Sequence, residues 1–225
     1  AKPGSEQLVV PTCAQLRLTG RPGWHTFEEY RVSAMLTSSA EPLSRPFFDL
    51  VLSRPALIHN SRLGGGVLGD FRTSEQRIPA SAMHGRALEV NMTMNRSWGF
   101  RADDLDYKSA QLLIRNLSDV ASKDGNYLLN ISPTAEGEIP APQVERLQAI
   151  GKWMKVNAAA IHATRGGLYL KPLDWGRTTY RRAANGATTL YLHVWQWPAY
   201  GKLLVPGIAQ APRTARVLAG GGSPR

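Results

Sequence analysis

The side chains best able to do chemistry gather just past a short apolar run. Ala56 to His59 (ALIH) is followed by a glycine-rich stretch that carries Arg62, Asp70 and Glu75, and Glu89 comes soon after in ALEVNMTMN. Paired carboxyl groups, one ionised and one protonated, are the working parts of acid-assisted hydrolysis. Read by type alone, each of these carboxylates is a solvated loop group. Gly64, Gly66 and Gly69 also spell G-x-G-x-x-G, with Glu89 twenty residues beyond the last glycine. That pattern holds a dinucleotide only when a helix opens at once behind it and offers its N-terminus to the pyrophosphate. Asp70 to Pro79 (DFRTSEQRIP) has no helical face, so a glycine-rich loop is the better reading and no nucleotide cofactor is expected. Cys13 is the sole cysteine, and His25 and His59 stand apart, so neither a disulfide framework nor a metal centre is expected.

The elements that must position these groups centre on Ala87 to Pro140, which reads as loop, helix, buried strand and loop. From Tyr107 onward Ala110, Leu113, Ile114, Leu117, Val120 and Ala121 recur at the spacing of one helical face, with Asp103 or Asp104 as the N-cap and Gly125 as the stop. Asn126 to Ile131 (NYLLNI) has the continuous apolar form of a strand in a parallel sheet covered by helices. Upstream, a helix ends near Ser53 before Pro55, Ala56 to His59 forms a short strand, and Asp49 lies on the helix surface. Downstream, Pro142 suits the first turn of a helix, whose buried face is Val144, Leu147, Ile150, Gly151 and Met154 and whose end lies near Asn157.

Residues 1–44 are broken by Pro3, Pro11, Gly20, Pro22, Gly23 and Pro42, and only Phe27 to Leu36 has the pattern of a short amphipathic helix. From Gly167 onward β-rich runs (LYL, TTLYLHVWQW, KLLVPG, ARVL) alternate with Pro, Gly and Asn, which predicts antiparallel strands. The expected organisation is therefore an unassigned segment over 1–44, an α/β domain over 45–165 and a small β domain over 166–225.

Composition narrows the partners. The chain has 225 residues and 43% hydrophobic content, enough to bury a core, and no run approaches the roughly 18 apolar residues of a membrane span. AKPGSEQLVV has no basic region followed by an apolar one, so no secretion signal is read there. The net charge of +10 is the one argument for a nucleic-acid partner. Its arginines are scattered, with Arg181-Arg182 the only adjacent pair, which describes a solvated basic surface and excludes a nucleic-acid ligand from the leading readings.

MTMNRSWGF, the YKS opening of the helix, SDVASKDGNYLLNISPTAEGEIP and RLQAIGKWMKVNAAAI together resemble the α-L-fucosidases of glycoside hydrolase family 29. The resemblance runs from about Pro46 to about Pro206 with the segments in the family's order. It implies a (β/α)8-like barrel followed by a β-sandwich, a fucosylated glycan or L-fucose as ligand, and no cofactor. A whole barrel takes about 250 residues, and at roughly 30 residues per βα unit this chain supplies two or three units. The expectation is an incomplete barrel, cut at both ends, with an open sheet edge that invites self-association.

The resemblance also implies site residues. Glu75, in GDFRTSEQ, matches the acid/base glutamate of one branch, where T-P-E-Q is usual and Ser74 here replaces the proline. Glu89 matches the glutamate of the W-E motif that serves another branch, with Leu88 here in place of the tryptophan. Glu75 is favoured, because GDF before it and MTMN-SWG after it resemble the first branch. Arg62 matches the arginine that contacts the fucose hydroxyls, and Trp98 the aromatic position beside the sugar's methyl group. The family's nucleophile is an aspartate on an earlier strand, and no residue here matches it. The leading reading is an α-L-fucosidase-like hydrolase acting with retention; the alternative is a non-catalytic, carbohydrate-binding remnant of one.

Overall fold

A computed structural model describes residues 49–54, 56–63, 68–82, 86–169, 171–208 and 211–218. They divide between a unit that ends at Asp70 and one that begins at Phe71. The expected Phe27 to Leu36 helix, Cys13, His25, Gly64 and Gly66 lie outside the described residues.

In the first unit residues 49–52 are helical, with Asp49 exposed, and the Ser53 hydroxyl donates to the Leu50 carbonyl at 2.7 Å as the turn closes. Ala56 to His59 is not a strand: Leu57 and Ile58 are exposed. An apolar run becomes a strand only where a neighbour completes its ladder. Here the ladder is replaced by one side chain, because His59 N donates to the Asp70 carboxylate at 2.9 Å while Asp70 N donates to the His59 carbonyl at 2.8 Å. Gly69 makes this approach possible, since a β-carbon there would sit 2.2 Å from the Asn60 carbonyl carbon.

The second unit is built on a parallel sheet in the order β1-β2-β3, with β1 at Phe71–Glu75, β2 at Ala87–Thr93 and β3 at Gly125–Asn130. Helix α1 (Ala110–Ser122) carries the chain from β2 to β3, and α2 (Ala141–Asn157) follows β3. Parallel neighbours cannot be joined by a tight turn, so this helix crossover is the connection the topology requires. The central strand is β2, where the sequence pattern predicts loop. Leu88, Val90 and Met92 alternate along it and pack with Val120 of α1, flanked by Ile78 and Tyr127.

The expected buried strand is, among the described residues, the sheet's edge: β3 has Asn126 and Leu128 exposed and Tyr127 and Leu129 half-buried. Helix α1 begins at Ala110, later than expected, and its N-cap is Ser109, whose hydroxyl accepts from Leu112 N at 3.1 Å. Asp103 and Asp104 are engaged elsewhere, with Arg101 and with Ser97 and Arg96 N. Asp124, at φ +61°, makes the left-handed turn that ends the helix. Gly125 instead lets β3 lie close to α1, since a β-carbon there would stand 3.0 Å from Val120 Cγ1. In α2 Pro142 falls in the first turn, but the side chain fully enclosed is Gln143, and Leu147 and Gly151 are exposed.

Beyond α2 the β4–β5 hairpin, Gly176–Arg182 paired antiparallel with Thr188–Val194, is the second sheet. Of the expected runs only TTLYLHVWQW supplies a strand among the described residues, and its partner GRTTYRR had not been read as one. Thr178 and Thr179, on opposite faces of the strand and both buried, show why: its buried side chains are polar and give no apolar alternation. The described residues thus show a partial α/β fold, a three-stranded parallel sheet with its helices, together with an antiparallel two-stranded sheet.

Candidate active site

In a parallel sheet the connections leave from the carboxyl ends of the strands, and a site forms there. Glu75 is the last residue of β1 and is exposed; Glu89 lies within β2 and is half-buried. Glu75 pairs in register with Asn91, and Glu89 pairs with Thr73 on one side and Asn126 on the other. Since side chains alternate across a strand and register partners share a face, Thr73, Glu75, Glu89, Asn91 and Asn126 all lie on one side of the sheet. Leu88, Val90 and Met92 take the other side, against α1. The two glutamates are one strand and two residues apart, which puts their α-carbons about 8 Å from each other, with Glu75 at the rim and Glu89 deeper.

Behind the rim is a knot of polar groups. Gln76 follows Glu75 in the left-handed region at φ +54°, a conformation that costs a non-glycine residue roughly 1–2 kcal/mol. Its backbone N–H donates to the Asn91 carbonyl at 2.8 Å. Its carboxamide Nε2 donates to Thr93 Oγ1 at 2.8 Å and its Oε1 accepts from Thr93 N at 3.3 Å. Thr93, wholly buried, donates its own hydroxyl hydrogen bond to the Asn95 carbonyl. Lys108 Nζ then donates to the Thr93 carbonyl at 2.7 Å and the Asn95 carbonyl at 3.1 Å. Burial holds the Lys108 pKa below the ordinary lysine range, opposed by Asp106 and Asp104. Ser74 closes the same turn with its hydroxyl donating to the Arg77 carbonyl at 2.5 Å.

Trp98, 38% exposed, sits in the segment after β2. Its carbonyl accepts from Asn130 Nδ2 at 2.8 Å, which ties the segment to the end of β3. The segment after β3 is anchored from α2, where Gln143 Oε1 accepts from Ser132 N at 3.0 Å and Gln143 Nε2 donates to Ser132 Oγ at 2.6 Å. Arg62 belongs to the first unit, in the short 3-10 helix Ser61–Leu63, with its backbone N–H donating to Asn60 Oδ1 at 3.0 Å. Glu75, Glu89 and Trp98 thus share the second unit, and Arg62 does not. Gln76, Thr93, Lys108 and Gln143 were not singled out from the sequence, although alternation at Leu88, Val90 and Met92 would have marked Thr93 as a strand end.

The strands β1 to β3 contain no aspartate. Groups of three or more His, Cys, Asp or Glu side chains able to hold a metal are absent among the described residues, and no described helix is long and apolar enough to cross a membrane.

Comparison with known proteins gives a single answer. Residues 44–159 match the family model described as Alpha-L-fucosidase. An α-L-fucosidase of Branchiostoma floridae is 31% identical over 182 residues, covering 76% of this chain and 39% of that protein. Plasma α-L-fucosidase of Homo sapiens is 36% identical over 117 residues, covering 49% of this chain and 25% of that protein. Among solved structures, α-L-fucosidase isoenzyme 1 from Paenibacillus thiaminolyticus superposes with a TM-score of 0.68 at 30% identity, over 87% of this chain and 48% of that one. The α-L-fucosidase from Vibrio sp. strain EJY3 does so with a TM-score of 0.63 at 30% identity, over 71% and 28%. The chain spans less than half the length of each of these relatives.

Proposed function

The chain belongs to the α-L-fucosidase family of glycoside hydrolases, and from that premise we propose that it acts in releasing terminal L-fucose from fucosylated glycans with retention of configuration. Glu75 is the general acid in this reading. The observation that carries it is the position of Glu75: it closes β1 at the carboxyl end of a parallel sheet, on the face turned away from α1. There it protonates the glycosidic oxygen as the bond to the anomeric carbon breaks, and afterwards takes a proton from the water that displaces the sugar from the enzyme's nucleophile. Glu89, deeper on the same face, is the alternative acid. Trp98, in the same unit, offers an apolar wall for the fucose methyl group.

The test is turnover of an aryl α-L-fucoside by the purified chain beside its Glu75→Gln and Glu89→Gln variants. Loss in the first alone supports the assignment, and loss in the second alone transfers it to Glu89. A second reading, a sugar-binding piece without hydrolysis, is motivated by the family's nucleophile, an aspartate on an earlier strand that no residue of β1 to β3 replaces. Saturable L-fucose binding with no turnover in the wild type would establish it.

A further inference from the structure

We propose that Gln76 is a positioning residue that sets the direction of the Glu75 side chain, through a clamp onto the end of β2. The inference rests on Glu75 as the acid of the reading above, but the clamp itself is read from geometry. A strand's last side chain is aimed by its own backbone, and that backbone is only as fixed as the residue after it. Here the next residue is held in an unfavourable left-handed conformation, which persists only where the surroundings over-determine it.

Three contacts do so. The Gln76 N–H is bound to the carbonyl of Asn91, the residue paired with Glu75. Both ends of its carboxamide are bound to Thr93. Thr93 cannot yield, because it is wholly buried and its hydroxyl and carbonyl are committed to the Asn95 carbonyl and the Lys108 ammonium. From the other side the Ser74 hydroxyl binds the Arg77 carbonyl across the same turn. Glu75 therefore sits in a turn fastened on both sides, and Gln76 supplies the fastening to the neighbouring strand.

A residue that only joined β1 to β2 would hold the strands together without affecting how Glu75 is aimed. The experiment separates these roles in the full chain by NMR, using three-bond couplings that report the Glu75 χ1 rotamer and amide exchange at residue 76. The variants are Gln76→Ala and Gln76→Met, the second keeping the side-chain length without its polar atoms, and unchanged methyl resonances of Val90 and Leu113 certify the fold.

The expected result is one dominant Glu75 rotamer in the wild type, rotamer averaging in both variants, and at least tenfold faster exchange at residue 76. Faster exchange with unchanged Glu75 couplings would make Gln76 merely structural and overturn the proposal, as would averaging of Glu75 already in the wild type. Where aryl fucoside is turned over, Gln76→Met is expected to lower kcat about tenfold with KM within twofold; an unchanged kcat overturns it. The NMR outcome does not depend on turnover, so failure of the clamp and failure of the fucosidase reading are told apart.

Discussion

The parallel sheet and the β4–β5 hairpin are fastened to the same helix by opposite means. Toward the sheet, α1 presents Val120, which packs with Leu88, Val90 and Met92. Toward the hairpin it presents Asp119, which binds Arg177 Nε at 2.5 Å and also its own Lys123. Arg177 lies 4.1 Å from the centroid of the Trp195 ring, whose Nε1 donates to Ser118 Oγ at 3.1 Å, and Arg115 donates to the Trp195 carbonyl at 2.9 Å. Listed by residue type, an acid, arginines and a tryptophan would describe a sugar site. Here they are mortar, half-buried between elements and committed to one another. Because the sheet gets its cohesion from apolar packing on one face, its other face is left to carry Glu75 and Glu89. The difference teaches that a constellation's role depends on whether its members face one another or face outward.

The comparison breaks most sharply at Glu75 and Asp119, two acids of opposite expected effect. Glu75→Gln should lower kcat/KM for an aryl α-L-fucoside by about 10²–10⁴-fold, the usual worth of general acid–base catalysis. Asp119→Ala should act on stability instead. It leaves Arg177 and Lys123, only 15% and 7% exposed, without their carboxylate, and breaking a buried pair from one side costs about 3–5 kcal/mol. Urea denaturation of the full chain measures it, and a loss under 1 kcal/mol would show that the hairpin is held some other way.

A smaller effect concerns pH. His193 is buried, its Nε2 lies 3.0 Å from Thr179 Oγ1, and the Thr179 hydroxyl donates to the Ala160 carbonyl at 2.6 Å. Burial lowers the His193 pKa to about 4, against a weaker raising contribution from the Ala160 backbone. The folded pKa lies below the unfolded one, so the unfolded chain binds more protons between the two values. Stability is full above pH ~6.5, falls as pH drops toward 4, and is flat below; the loss is on the order of 3 kcal/mol. His193→Phe should flatten that slope, and an unchanged slope would exclude this histidine as its source. The smallest effect belongs to Ser109→Ala, which removes the N-cap of α1 and should cost about 1 kcal/mol by the same urea measurement, without altering substrate affinity.

What was legible in the residues and what was not divides along physical lines. The face of α1, the end of α2 at Asn157 and the strand over TTLYLHV were all readable, because each depends on a pattern within one segment. The N-cap was misplaced because Asp103, Asp104 and Ser109 are all competent caps, and the choice among them is made by Ser97, Arg96 and Arg101 from outside the helix. Ala56 to His59 was misread because a strand exists only with a partner, and GRTTYRR was passed over because its buried side chains are threonines rather than an apolar alternation. Glu75 and Glu89 could be chosen as candidates from their motifs alone.

That both lie on one face of the sheet, at different depths, was decided by the register of β1 on β2. The sequence by itself determined the family, the helices and the short roster of acids. Only the tertiary structure decided which strand is central, which acid stands at the rim, and that the Asp119, Arg177 and Trp195 cluster is spent on packing. Periodicity is written along the chain, whereas register and burial depend on contacts between segments far apart in it.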